Sequence, residues 1–152
     1  MVLDHERLDV YQVALDFLVF ANEVIEALPR GCSHLADQLT RASTSIVLNL
    51  AEGVGRHSKP DKRRYYLTAR GSATESAALL DICMRLKLVD EVGHKAAKEM
   101  LLRVVSMLIK LAQACEEYGF RCATRAMRTR SRRRRRSYGA SSRSASRSDE
   151  PA

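Results

Sequence analysis

The sequence predicts an all-α protein, an antiparallel up-down-up-down four-helix bundle with a basic tail. Three observations lead there. Four runs repeat apolar residues at steps of three and four, the spacing that lines one side of a helix. Gly and Pro are scarce, 7 and 3 in 152 residues, and fall mostly between those runs. Leu, Ala and Val carry the apolar content and Trp is absent, the balance of a core built from helices.

The first run, "LDVYQVALDFLVFANEVIEAL", sets Val10, Ala14, Phe17, Ala21, Val24 and Leu28 on one stripe. Tyr11, Leu15, Leu18 and Ile25 form a second stripe beside it. That arc is wider than one bundle core needs, so self-association is expected. Pro29 and Gly31 end the helix.

The second run follows Ser33, the expected N-cap, and turns Leu35, Leu39, Ala42, Ile46 and Leu50 inward. Gly53 and Gly55 mark its end, where glycine takes up a positive φ cheaply. The third run opens with Ser58 as cap, Pro60 in the first turn and Asp61 three residues after the cap. Tyr66, Ala69, Ala73, Ala77, Leu80 and Met84 keep the helical period to about Leu88. Gly71, between Ala69 and Ala73, is expected where another backbone comes close.

The fourth run spans about Glu91 to Tyr118, with Ala97, Leu101, Val104, Leu108, Leu111 and Cys115 inward and Gly119 closing it; the alternative is an extension of a turn or two into "FRCATRAM". Matched lengths and short turns favour one up-and-down bundle. The expected domains are therefore 1–118, the bundle, and 119–152, a disordered Arg/Ser-rich tail. The tail has too little apolar content and too much like charge to order itself.

Charge divides the same way. Residues 119–152 hold 11 Arg and two acids, net +9, while 1–118 hold 15 basic and 16 acidic residues, net −1. Basic sites on the body must then arise from local clustering. No apolar run reaches the ~18 residues of a membrane span, and "MVLDHERLDVYQ" lacks a signal-peptide pattern, so a cytoplasmic protein is expected.

Enzyme chemistry finds no support. Cys32, Cys83, Cys115 and Cys122 form no C-x-x-C pair, and no His stands at zinc spacing from them. Cys83 and Cys115 lie on apolar helical faces, where Cys acts as a small hydrophobe. His5, His34, His57 and His94 share no H-x-x-x-H or E-x-x-H spacing. No catalytic residue, metal or cofactor is expected.

Two sets of polar residues remain. Arg41, Ser45, Asn49, Glu52 and Arg56 are spaced by 4, 4, 3 and 4 along one helical face, with Arg70, Ser72 and Glu75 available on the third helix. The expectation is a structural polar network of Arg41, Ser45, Asn49, Glu52 and Glu75, in which Glu52, if buried, pairs with an Arg across the bundle; the alternative is a binding site for a ligand or nucleic acid on that face. The second set is basic. Arg56, Lys59, Lys62, Arg63, Arg64 and Arg70 face only Asp61 in fifteen residues, with Tyr65 and Tyr66 among them. Arg132, Arg133, Arg134, Arg135 and Arg136 add a second basic element in the tail. Both suit phosphate contacts with little sequence preference, by RNA or DNA. The alternative is a protein-interaction scaffold whose basic surface recruits an acidic protein.

The segments "LDVYQVALDF", "ADQLTRASTSIVLNLAEGVGR" and "YYLTARGSATESAALL" resemble the small four-helix-bundle proteins encoded in intervening sequences of bacterial 23S rRNA genes. They are similar also to the accessory variability determinant of diversity-generating retroelements. The shared pattern is Gln38 and Arg41, then Ser45-Ile46, Asn49, Ala51, Glu52, Gly53, Gly55-Arg56, Gly71-Ser72 and Glu75, over about residues 8–90. The resemblance implies a ring, commonly a homopentamer, with a basic surface and no catalytic residues. Its best understood members bind nucleic acid and, in retroelements, a reverse transcriptase. The Arg-rich tail lies outside that pattern.

Overall fold

A computed structural model describes the backbone of residues 2–141 and the side chains of residues 2–116. By its contacts the chain divides into two units, Met1–Glu116 and Glu117–Ala152. The described residues form four α-helices and no strand: α1 Asp9–Ala27, α2 Ser33–Gly55, α3 Lys59–Arg85 and α4 Glu91–Ser141. Short 3-10 turns, Asp4–Arg7 and Arg30–Cys32, precede α1 and α2.

Residues from all four helices share one apolar core. Val10, Ala14, Phe17, Ala21 and Val24 of α1 are buried, as the first stripe predicts, with Val13 buried beside them, while Leu28 lies past the helix end and is half-buried. The second stripe, Tyr11, Leu15, Leu18 and Ile25, packs half-buried against that core. In α2, Leu35, Leu39, Ala42, Ile46 and Leu50 are all buried. In α3 the small residues Ala69, Ser72, Ala73 and Ser76 are buried beside Tyr66, Leu79, Leu80 and Cys83. Ala97, Leu101, Val104, Leu108, Ala112 and Cys115 complete the core from α4. Burial raises the Cys83 thiol above its ordinary pKa, with Cys32 adding to it, in keeping with an inert core cysteine.

The caps follow local chemistry with three departures. Ser58 caps α3 as expected, its side chain accepting from the Asp61 N–H at 3.3 Å, with Pro60 in the first turn. Ser33 is already helical, and Cys32 occupies the cap position without a side-chain bond. Neither Gly53 nor Gly55 takes a positive φ: α2 ends instead by passing into extended backbone at Arg56. The left-handed residue is Lys87, φ 59°, after α3. There Leu88 N–H reaches Cys83 O at 2.9 Å and Lys87 N–H reaches Met84 O at 3.0 Å, the paired bonds of a Schellman end.

Gly71 is not a point of close approach. It is exposed, and nothing would lie within 4 Å of an added Cβ. The close approach is at Gly53, where a Cβ would meet Tyr66 Cε1 at 2.7 Å and Tyr65 Cβ at 3.1 Å.

α4 runs to Ser141 rather than ending at Tyr118. Ala, Arg and Met favour helix, and one Gly costs only ~1 kcal/mol against Ala, so Gly119 does not stop it. The rest of the basic tail, 142–152, lies outside the described residues. Among the described residues no helix is long and apolar enough to cross a membrane.

Candidate functional site

The polar residues of α2 separate into two groups. Midway along the helix, Ser45 Oγ and Ser72 Oγ of α3 share a hydrogen bond of 2.9 Å. Asn49 Nδ2 donates back to Ser45 O at 2.8 Å and to Ser45 Oγ at 3.0 Å. Ser43 and Ser76, both buried, donate to the carbonyls of Leu39 and Ser72 one turn earlier. Each hydroxyl is thus satisfied where it is enclosed, and side chains this small let α2 and α3 approach closely.

The expected network does not extend further. Glu52 is not buried: its side chain is 54% exposed and pairs with Arg56, one turn on, at 3.5 Å. Arg41 and Glu75 are exposed and stand outside these contacts. The reason is rotation. At ~100° per residue, Asn49 lies ~100° round the helix from the fully buried Leu50, Glu52 ~160° and Arg41 ~180°. One polar stripe therefore lies in solvent at both ends, Arg41 and Glu52 with Arg56, and meets its neighbour α3 only in the middle, at Ser45.

The basic residues gather where α2 gives way to α3. Arg56, the first residue beyond α2, donates through Nη2 to Tyr65 Oη at 2.7 Å. Its Cζ lies 4.8 Å from the centre of the Tyr65 ring, and Arg64 Cζ lies 5.1 Å from the same ring. Two guanidinium groups are thus held against one tyrosine. Lys62 Nζ donates to the Val54 carbonyl at 3.1 Å, closing a free end of α2. Arg63 pairs with Glu116 of α4 at 3.4 Å, and its Nε is buried without a hydrogen-bond partner among the described residues. Lys59, Arg64 and Arg70 are exposed along the same stretch of α3. Beneath them Tyr66 is buried, which raises its hydroxyl above the ordinary pKa, with Cys115 adding to it. The side chains of Arg132, Arg133, Arg134, Arg135 and Arg136 lie outside the described residues.

Two features were not foreseen from the sequence. One is the part of Tyr65 as organiser of the arginines; an aromatic inside a basic run is its only sequence signal. The other is an ionic clamp between α3 and α4. Asp81 receives His94 Nε2 at 2.7 Å and Lys98 Nζ at 2.8 Å. Those two bonds, Lys98 first, hold the Asp81 carboxyl below its ordinary value. His94 and Lys98 are one turn apart on α4, so their spacing was the available signal.

The sequence profile described as 23S rRNA-intervening sequence protein matches residues 6–110. A crystal structure of a protein of unknown function from the S23 ribosomal protein family, from Bacteroides thetaiotaomicron VPI-5482, superposes with a TM-score of 0.64. It is 20% identical, and the match covers 68% of this chain and 97% of that one, so the likeness is one of fold. No curated protein matches the chain.

Proposed function

The chain belongs to the 23S rRNA-intervening sequence protein family, and from that premise we propose a non-enzymatic, self-associating protein that binds nucleic acid at the α2–α3 junction. One observation carries the reading: exposed cations are held on two helix ends by Tyr65, and among the described residues the acids paired with this cluster are Glu52 and Glu116. Arginine meets phosphate with a planar fork and stacks on bases, whereas a protein carboxylate offers no base to stack on. That favours nucleic acid over an acidic protein partner. Phosphate contacts of this kind bring affinity with little sequence preference.

The arrangement that would present this surface is an antiparallel bundle. Ser45 meets Ser72, and Arg56 just past the end of α2 meets Tyr65, which supports opposite senses for α2 and α3. Arg63 meets Glu116 and Asp81 meets His94, which supports the same relation for α3 and α4. Self-association is supported by exposed Val19, Leu48 and Leu102, all 60% exposed or more, on α1, α2 and α4. A homopentameric ring, a reverse transcriptase partner and a cytoplasmic location are proposals that rest on the resemblance and on composition. In a ring the junction would repeat as a belt of positive potential.

The test is a salt series of binding to a labelled single-stranded RNA oligonucleotide. Each phosphate contact contributes about −0.7 to the slope of log K against log salt. Arg70→Ala should flatten that slope by roughly 0.7. No binding at low salt, or an unchanged slope in the variant, rejects the reading. Light scattering reads the assembly, and a monomer at micromolar concentration removes the belt.

A further inference from the structure

The junction does more than concentrate charge, because Tyr65 fixes the orientation of its cations. Arg56 arrives from the end of α2 in extended backbone and Arg64 from the first turns of α3. Their guanidinium carbons lie 4.8 and 5.1 Å from the centre of one ring. Arg56 is also tied by its 2.7 Å bond to Tyr65 Oη, and its side chain remains 45% exposed. Having accepted that bond, the tyrosine hydroxyl keeps its own proton to donate outward. The result is a small set of planar groups, pre-ordered at the surface, with hydrogen-bond donors at its edge.

We propose that the Arg56–Tyr65–Arg64 stack selects unpaired strands over duplex, an inference that rests on the nucleic-acid reading of the same junction. A point-charge patch has no means to make that choice in this direction. Duplex carries the higher charge density, so charge alone favours duplex or is indifferent. A planar cation reads something else. The base of a single strand presents an uncovered π-face that a guanidinium or an aromatic can stack on, whatever the base. In a duplex each base face is covered by its neighbours, and only phosphates remain for Arg56 and Arg64. Side chains already held against Tyr65 lose less freedom on stacking than free arginines would.

The experiment uses the full chain and two probes: a fluorescein-labelled RNA oligonucleotide, and the same strand annealed to its complement. Every protein keeps the Arg-rich tail, so the tail contributes the same background throughout. The wild type should favour the single strand by about ten-fold, within the range of base–aromatic stacking. Arg56→Lys with Arg64→Lys keeps the charge and removes both planes. It should lower single-strand affinity by about ten-fold and leave duplex affinity within about two-fold. Tyr65→Leu, which removes the ring that orients both arginines, should act in the same direction. Wild-type affinity that is equal for the two probes, or greater for duplex, overturns the proposal while leaving nucleic-acid binding intact. So does a preference that survives the double Lys substitution. Failure of the wild type to bind either probe at low salt rejects the nucleic-acid reading itself.

Discussion

Midway along α2, polar side chains turn toward α3 and find partners in backbone or in one another; at its C-terminal end they turn outward and carry charge. Ser45 and Asn49 belong to the first region, Glu52 and Arg56 to the second, and one stripe at helical steps of three and four links them. The difference shows that residue type and period do not decide the fate of a polar group; what packs against it does, since Ser45 and Glu52 lie only ~20° apart round the helix and Ser45 alone of the two meets α3. An enclosed hydroxyl or amide must be bonded, and here each one is, largely within its own helix. An exposed charge has no such demand, which leaves it available to a ligand.

Gly53 lies where the two regions meet, and its substitution should give the largest effect. Alanine there would push into the buried Tyr66 ring, with Tyr65 Cβ closing the other side. Overpacking costs about 1–3 kcal/mol, and the helix-propensity gain at this last turn is below ~1 kcal/mol. Gly53→Ala should therefore lower the urea midpoint with unchanged m-value. Because Tyr65 sits against the same spot, the variant should also weaken single-strand binding. An unshifted midpoint means that the Tyr66 ring yields without cost and that the two regions are not coupled there.

Next comes the inward region itself. Asn49→Ala removes two hydrogen bonds to Ser45 but leaves Ser45 bonded to Ser72. A loss of about 1 kcal/mol is expected, the ordinary worth of such bonds, with nucleic-acid binding unchanged. Binding lost at unchanged stability would move Asn49 from the structural region to the functional one.

The ionic clamp offers a smaller, pH-dependent contrast. Asp81 is held below its ordinary value of 3.8 by Lys98 and His94. Its contribution is therefore fully present above that value and fades as pH falls through the lowered one. The carboxylate is half exposed, so the contribution is within the ~0–1 kcal/mol of surface pairs. Asp81→Asn should show that difference from wild type at neutral pH and converge with it in acid. A difference that persists below the folded value would assign the loss to packing instead of charge.

Much of this was legible in the sequence, and the exceptions have a common cause. Most of the buried residues of α1 and α2 follow from periodicity, though not Val13, Ser43, Val47 or Gly53, and the Ser58 cap follows from local chemistry. Gly71 was misread because Ala69 and Ala73 share one face while a residue between them points the other way, at ~200° from Ala69. Glu52 was concealed differently: it lies ~20° from Ser45 round α2, and Ser72 of α3 stands opposite Ser45. The Tyr65 cluster is different in kind. Arg56, just past the end of α2, and Tyr65 of α3 are nine residues apart, and only the turn between the two helices brings them together. The Asp81 clamp likewise crosses the turn between α3 and α4. Contacts made across turns carry no period, so a pattern read one helix at a time passes over them.

Glu52→Ala carries the smallest expected change and is the sharpest probe of the comparison. In the single chain Glu52 is a surface acid bonded to Arg56 at 3.5 Å, a pair worth about 0.3–0.5 kcal/mol at helical i,i+4 spacing. The thermal midpoint should therefore barely move. Binding should change in the opposite sense to a loss-of-function substitution. Removing the acid frees Arg56 of its counter-charge, while the Tyr65 bond still holds the guanidinium in place. Single-strand affinity should rise modestly, and more at low salt than at high, because the removed repulsion is screened. A large loss of stability, of the ~3–5 kcal/mol that follows when a buried pair is broken, would give a different answer. It would mean that Glu52 is enclosed by something outside the single chain, and a second copy packed against the outward face of α2 is the structure that could enclose it. Melting at two protein concentrations separates the cases: a surface pair gives the same small shift at both, whereas an interface acid gives a loss that grows on dilution.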